Sequence, residues 1–150
     1  MNEREQLDMM RQIARIRALQ FEQSRNEAQR LARIHEEAKA FEAEASSRFD
    51  AQLDGMRRML AAGNGVSLTL VASWDAAIAS ARTALASAAV HTREAERNAE
   101  LHRKVVATHH RQADLSEELV ERAARRYTRA CDDRQTFMIE DLFRSREARQ

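Results

Sequence analysis

The chain of 150 residues contains no proline and three glycines, and a third of its residues are charged. This composition excludes most sheet folds, which need frequent turn residues, and is typical of long helices or a coiled coil. The net charge of +1 gives no overall attraction to nucleic acid or an anionic membrane, and the single cysteine excludes an internal disulfide framework.

The first predicted element is a helix over residues 3–61 with an irregular apolar repeat. Six residues fit one register of three- and four-residue steps: Leu7, Met10, Ala14, Phe21, Ala28 and Leu31. The repeat is then predicted to continue with skips through Ile34, Ala38, Phe41, Ala45, Phe49, Leu53, Met56 and Leu60. Gly55 lies inside this helix and costs about 1 kcal/mol relative to alanine without ending it.

Residues 62–67 form the one predicted turn. Gly63-Asn64-Gly65 favours positive φ, which ends helices, and Ser67 is placed to cap the helix that follows. A second helix is predicted over residues 68–146. Its seam keeps one register of alternating three- and four-residue steps from Val71 to Phe137, which indicates a coiled coil.

A short turn between two such helices predicts an all-α fold, a long antiparallel two-helix coiled-coil hairpin that forms a single domain over residues 1–150. The second helix is the longer one, so we expect about its last 15–20 residues to lack an intramolecular partner. A shorter multi-helix bundle with unrecognised breaks is the alternative that the sequence leaves open.

No residue pattern indicates a catalytic, cofactor or metal site. His102 and His109 are two helical turns apart, and the adjacent His109 and His110 point in different directions, so they do not converge on one ion. Cys131 is followed by two aspartates, whose charges disfavour a reactive thiolate. We expect no enzyme activity and no cofactor. The absence of a leader or a long apolar segment predicts a cytoplasmic protein without membrane insertion.

Two parts of the second helix are candidates for protein binding. Arg122, Arg126 and Arg129 form a stripe, which is either a solvated face with intrahelical ion pairs or a docking stripe for an acidic protein; nucleic acid is less favoured because no aromatic residues interleave. Beyond the stripe, bulky apolar residues without an intramolecular partner suggest contact with another protein: Phe137, Met138, Ile139, Leu142 and Phe143.

Trp74, the only tryptophan, follows the predicted turn in line with Ile78 and Ala81. It either plugs the closed end of the hairpin or is a partly exposed anchor for another protein.

The segment Leu7–Arg17, with leucine and arginine near the terminus, resembles the start of the FliJ/YscO family. The turn Gly63–Ser67, followed by the aromatic Trp74 and the aliphatic Ile78, is similar to the turn of that family, and the resemblance covers most of the chain. Members of the family are the central-stalk proteins of flagellar and virulence type III secretion export ATPases. The resemblance implies a stalk or adaptor that enters the hexameric export ATPase and links it to the membrane export gate.

The resemblance also implies where the partners bind. It implies contact with the ATPase at Arg11, Arg15, Arg122, Arg126, Arg129, Phe137 and Phe143. It implies contact with the export gate at Trp74, Ile78 and Ala81, and secretion chaperones are further expected partners. ATP hydrolysis would belong to the partner, and the protein would lie in the cytoplasm at the periphery of an inner-membrane export complex.

Two other functions stay open at this stage. One is a structural coiled-coil scaffold whose hairpins pair into a four-helix homo-oligomer. The other is a phasin-like amphipathic protein that coats surfaces.

Overall fold

Two long helices make up the protein in the computed structural model, which describes residues 2–63 and 65–147. Helix α1 spans Glu3–Ala61 and helix α2 spans Leu68–Glu147, and the described residues contain no strand. The helices pack against each other, so the predicted all-α helical hairpin is confirmed. Asn64, which the sequence placed in the turn, lies outside the described residues.

The helix bounds lie within one residue of those predicted. The chain contains two compact units: unit 1 combines Met1–Arg25 with Val105–Gln150, and unit 2 is Asn26–Lys104. Each unit pairs part of α1 with part of α2. The single domain over residues 1–150 stays a prediction.

The seam of α2 follows the predicted register. Every seam position from Val71 to Ala130 is buried or half-buried, whereas the last two predicted seam residues, Arg134 and Phe137, are exposed. We assign heptad letters accordingly, with a and d in the seam.

The seam of α1 is regular as well, which makes the predicted skips wrong. Alternating steps of four and three from Glu3 to Met59 fall on buried or half-buried residues throughout. Ile34, Phe41 and Leu60 lie outside this register and are 39%, 58% and 51% exposed. Polar residues occupy the seam positions at which the apolar pattern is interrupted: Arg17, Ser24, His35, Glu42 and Gln52.

Polar side chains join the two helices within each unit. In unit 1, Arg17 Nη1 donates to Gln112 Oε1 across the helices at 2.8 Å, and Phe21 meets the ring of His110 edge-on with centroids 4.8 Å apart. In unit 2, Thr92 Oγ1 donates to the Ala38 carbonyl at 3.2 Å. A side-chain hydrogen bond to the backbone of the opposite helix requires a close approach, which the small seam residues around it permit.

The contact with Trp74 explains why position 55 of α1 is a glycine. A Cβ atom at Gly55 would lie 2.5 Å from Trp74 Cη2 and 3.0 Å from Cζ3. The half-buried indole ring therefore occupies the space that any larger residue on α1 would need. Of the two roles predicted for Trp74, this packing corresponds to a plug between the helices and not to an exposed anchor for another protein.

A glycine with positive φ follows the end of α1, and a serine caps the start of α2, as predicted. Gly63, the second residue after the end of α1, has a φ of 67°, and the Ala62 amide before it donates to the Arg58 carbonyl at 3.1 Å. Ser67 caps α2, since its Oγ and its carbonyl accept from the Leu70 amide at 3.2 and 3.0 Å.

We expect Gly55→Ala to lower the free energy of unfolding by up to about 2 kcal/mol, because overpacking against Trp74 outweighs the helix propensity of alanine. In a Trp74→Ala background, the same change should instead raise the free energy of unfolding by about 1 kcal/mol. Urea unfolding of the four chains at one protein concentration measures both values. A stabilising Gly55→Ala in the presence of Trp74 contradicts the packing.

Gly63→Ala should lower the free energy of unfolding by about 1 kcal/mol, because an alanine at φ 67° is strained. Gly65→Ala is the comparison variant in the same turn, because a Cβ there meets no atom within 4 Å. Equal effects in thermal unfolding would show that the positive φ is not what the turn requires of glycine.

Candidate docking surfaces

Unit 1 has two flanks beside its seam, and different residues line them. On one flank, a shallow groove is lined by Gln6 and Leu119 at g positions together with Arg122 and Arg126. On the other, a groove is lined by residues at b and e positions: Arg4, Asp8, Arg11, Ala124 and Thr128. We call the side with the c and g positions the g flank, and the side with the b and e positions the e flank.

The arginines that the resemblance assigns to the ATPase are divided between the flanks. Arg122, Arg126 and Arg129 occupy c and g positions and lie on the g flank. Arg11 lines the groove of the e flank, and Arg15, four residues further along the same helix face, follows it. The structure therefore does not bring the two sets together on one face.

The three arginines Arg122, Arg126 and Arg129 differ in their surroundings, so each of the two interpretations, an intrahelical ion pair or a docking stripe, fits part of the stripe. Arg122 Nη2 donates to Glu118 at 3.0 Å, which is an exposed intrahelical pair of small energetic value. Arg126 and Arg129 are exposed and form no ion pair within residues 2–63 and 65–147. Two of the three guanidinium groups are thus free to meet an acidic partner.

Phe137 and Phe143 belong to a stretch of α2 that is exposed along its whole length. All of residues 132–147 are exposed, and Arg134 Nη2 lies 3.4 Å from Glu3, the first residue of α1. Beyond Arg134, large apolar side chains are between 53% and 67% exposed. We call them the terminal apolar cluster: Phe137, Met138, Ile139, Leu142 and Phe143.

The terminal apolar cluster is mostly turned away from the line of the seam. At 100° per residue, Phe137 continues that line, whereas the other four members occupy b, c, e and f positions. Ile139, Leu142, Phe143 and Arg146 border a shallow depression of their own. The cluster can therefore contact a partner that approaches from outside the hairpin.

The residues that the resemblance assigns to the export gate lie in the seam of unit 2. Ile78 is 7% exposed and faces α1, while Trp74 and Ala81 are half-buried. Leu85, the next residue in this line, is half-buried too. A partner can reach only the outer parts of Trp74 and Ala81 while the helices stay packed.

The g flank of unit 1 carries an apolar row that the sequence reasoning missed. Met9, Ile13 and Ile16 on α1 are 38%, 40% and 56% exposed, and Leu115 and Leu119 on α2 are 58% and 46% exposed. Their spacing of four and three residues repeats that of the seam in a second register. This second register is the signal that the sequence contains, and it interleaves with the register of the seam on the same helices.

Apart from the pair between Arg134 and Glu3, the ion pairs seen among the described residues join side chains three or four positions apart on one helix. The side-chain hydrogen bond from Arg30 holds the pKa of Glu27 below its usual value, and the charge of His102 acts in the same direction. His110 Nδ1 lies 2.7 Å from Asp114 Oδ2 on an exposed face. Within the described residues, no group of histidine, cysteine and acidic side chains is arranged to hold a metal ion.

Comparison with family models, with curated proteins and with solved structures found no match for this chain. Neither α1 nor α2, as far as each is described, has an apolar stretch sufficient to cross a membrane.

Arg30→Gln should raise the pKa of Glu27 towards its usual value, because the variant loses the charged donor. The lowered pKa stabilises the fold above the ordinary pKa of glutamate, and this contribution is lost as the pH falls. An NMR titration of the Glu27 carboxyl measures the change, with the exposed Arg33→Gln as the control. A pKa equally changed in both variants would contradict a specific pair.

Proposed function

We propose that this protein is a non-enzymatic stalk or adaptor of a type III protein export apparatus, flagellar or virulence. The resemblance of Leu7–Arg17 and of the turn near Gly63 to the FliJ/YscO family supports this proposal. The terminal apolar cluster is the observation that carries it, because five large apolar side chains are exposed on one stretch of α2. Such a surface is suited to bind another protein.

The proposed partner at this end is the hexameric export ATPase. Phe137 and Phe143 are 67% and 64% exposed, so their burial in a pocket of the ATPase would supply the main favourable energy. Arg126 and Arg129 precede them on α2 and would pair with carboxylates of the ATPase. Hydrolysis of ATP belongs to the ATPase, and the hairpin transmits its conformational changes.

The division of the arginines between two flanks favours a partner that encloses the hairpin. A protein that binds on one side of unit 1 can meet either Arg11 and Arg15 or the stripe from Arg122 to Arg129. A ring of subunits around both helices can meet both sets at once. We therefore propose that both sets of arginines contact the ATPase, because the partner is a hexameric ring that surrounds the two helices.

The remaining parts of the proposal concern the membrane side of the apparatus. The export gate would contact the outer parts of Trp74 and Ala81, close to the buried Ile78. Secretion chaperones are proposed as further partners. The protein would act in the cytoplasm, at the periphery of an inner-membrane export complex.

The test uses the full chain and the export ATPase encoded in the same genome. We expect the hairpin to increase ATP hydrolysis and hexamer assembly. Phe137→Ala together with Phe143→Ala should weaken binding at least about 100-fold, because each truncation removes a large apolar contact of about 1.4 kcal/mol or more, which is a factor of about ten. The same substitutions should leave the unfolding transition unchanged, since both side chains are exposed.

Phe41→Ala is the matched control, because Phe41 is 58% exposed but lies in unit 2. It should bind the ATPase like the unaltered chain. The proposal is rejected if the hairpin changes neither the assembly nor the activity of the ATPase. An export ATPase gene and the gene of its negative regulator next to this one would support the class of function independently.

The alternative function is a structural scaffold in which hairpins pair into a four-helix homo-oligomer. The apolar row on the g flank of unit 1 is the specific observation that favours it, since such a row can form a second seam.

A further inference from the structure

The g flank of unit 1 combines large apolar side chains with cations. The apolar row consists of Met9, Ile13 and Ile16 on α1 with Leu115 and Leu119 on α2, and its members are 38% to 58% exposed. We call this apolar row and the stripe of three arginines together the docking face. Where the row meets the stripe, a shallow groove lies between α1 and α2. Exposed apolar side chains beside cations form a surface to which a partner of definite chemistry can bind.

Acidic residues are unevenly divided between the two flanks of unit 1. In residues 6–23 of α1 and 108–129 of α2, a stretch that the structure describes throughout, no c or g position carries an aspartate or a glutamate. The b and e positions of the same stretch carry five acidic residues: Asp8, Glu22, Asp114, Glu117 and Glu121. The arginines of the docking face therefore lie on a flank that offers them no carboxylate over this length.

Glu3 and Glu118 border the docking face, and each carboxylate already has an arginine partner. Glu3, which also lines the groove, lies 3.4 Å from Arg134 Nη2, and Glu118 accepts from Arg122 Nη2 at 3.0 Å. The other two arginines of the stripe are exposed and form no ion pair within the described part of the chain. Their guanidinium groups can each take a carboxylate from a partner.

A further cation lies at the opposite end of the apolar row. Arg17 Nη1 donates to Gln20 Oε1 at 3.1 Å and to Gln112 Oε1 at 2.8 Å, so both acceptors are neutral amides. The apolar row is thus bordered by guanidinium groups at both ends. A surface with an apolar centre and carboxylates at its borders is complementary to this arrangement.

We propose that the docking face binds an amphipathic α-helix of another protein, with large aliphatic residues along its centre and carboxylates along its borders. The row on α1 has steps of four and three residues, and the row on α2 has a step of four, which is the spacing at which helices pack side by side. Residues 115–129 of α2 extend over about 21 Å at 1.5 Å per residue. A partner helix of about 14 to 21 residues therefore covers the face.

The charge of the docking face favours this helix over a second copy of the chain. An isologous contact through the face would bring the arginines of two copies to one interface, and the c and g positions of neither copy would supply a carboxylate there. An acidic helix neutralises the arginines while its aliphatic residues cover the apolar row. The groove is also concave, which suits a helix better than the surface of a membrane.

This inference goes beyond the proposed function, because it does not require the export ATPase. The terminal apolar cluster shares no residue with the docking face and keeps its proposed role. Arg126 and Arg129 take part in both proposals, so the test uses a probe that contains no part of the ATPase. Failure of one proposal therefore leaves the other standing.

The probe is a fluorescent synthetic peptide of about three heptads, with leucine at a and d, glutamate at e and g, and alanine elsewhere. Glutamates at e and g repel a second peptide, so the probe stays monomeric. We expect saturable binding to the full chain in fluorescence anisotropy, with a gain of helicity in circular dichroism. The same peptide with lysine in place of glutamate is the control and should bind at least about tenfold more weakly, because it meets the arginines with like charge.

Two double variants of the chain separate the apolar and the charged contribution. Ile16→Gln with Leu115→Gln should weaken binding of the acidic peptide at least about tenfold, because it removes the two most exposed members of the apolar row. Arg126→Gln with Arg129→Gln should weaken binding at least about fivefold and reduce the dependence of the affinity on salt. Thermal unfolding of both variants should be unchanged, since all four side chains are exposed.

Matched controls place the same substitutions elsewhere on the hairpin. Val90→Gln with Leu101→Gln changes apolar residues that are 49% and 51% exposed in unit 2. Arg11→Gln with Arg15→Gln removes two exposed arginines of the e flank. Both control variants should bind the acidic peptide like the unaltered chain.

The inference is overturned if the acidic peptide does not bind, if the lysine peptide binds equally well, or if the control variants weaken binding as much as the variants of the docking face. It is also overturned if the docking face binds vesicles of phosphatidylglycerol or a second copy of the chain in place of the acidic peptide.

Discussion

The close packing of α1 against α2 along one seam is the constraint on which the other features depend. Half of the seam positions of α2 from Val71 to Ala130 are alanine, serine or threonine, and the Thr92 hydroxyl reaches the backbone of α1 at 3.2 Å. Close approach leaves no room for bulk, so α1 has a glycine where the only tryptophan lies against it. A small-residue seam thus fixes both the register of the helices and the identity of Gly55.

A seam of this kind cannot bury many large side chains. No large side chain among the described residues is fully buried, and Leu7 and Ile78 are the bulkiest apolar residues below one tenth exposure. A pair of helices has one seam and two flanks, so every further leucine, isoleucine or phenylalanine must lie outside. The apolar residues left outside are not scattered evenly. In unit 1 they gather on the g flank and at the end of α2, which is the distribution expected of binding surfaces.

The helices could be predicted from the sequence because the residues that end or begin a helix, and the apolar repeat along it, act through local chemistry. Gly63 and Ser67 mark the turn by their own backbone and hydroxyl chemistry, and the 3–4 repeat of α2 can be read without knowing what it packs against. The α1 register was harder to predict, because Arg17, His35 and Glu42 are polar residues that are nevertheless half-buried in the seam. The apolar residues Ile34 and Phe41, which suggested skips in the repeat, are exposed and occupy g positions within unit 2.

The candidate surfaces depend on pairing, which a single helix does not reveal. Arg11 and Arg122 look equivalent in the sequence, and only the partner helix decides that they lie on opposite flanks. The same holds for Ile16 and Leu115, which are 99 positions apart in the chain and share a face because the helices run antiparallel. Because the pairing of the two helices is fixed, the apolar row on α1 and the apolar row on α2 form one surface. The function of a two-helix protein is therefore decided less by its seam than by which residues the seam leaves together on each side.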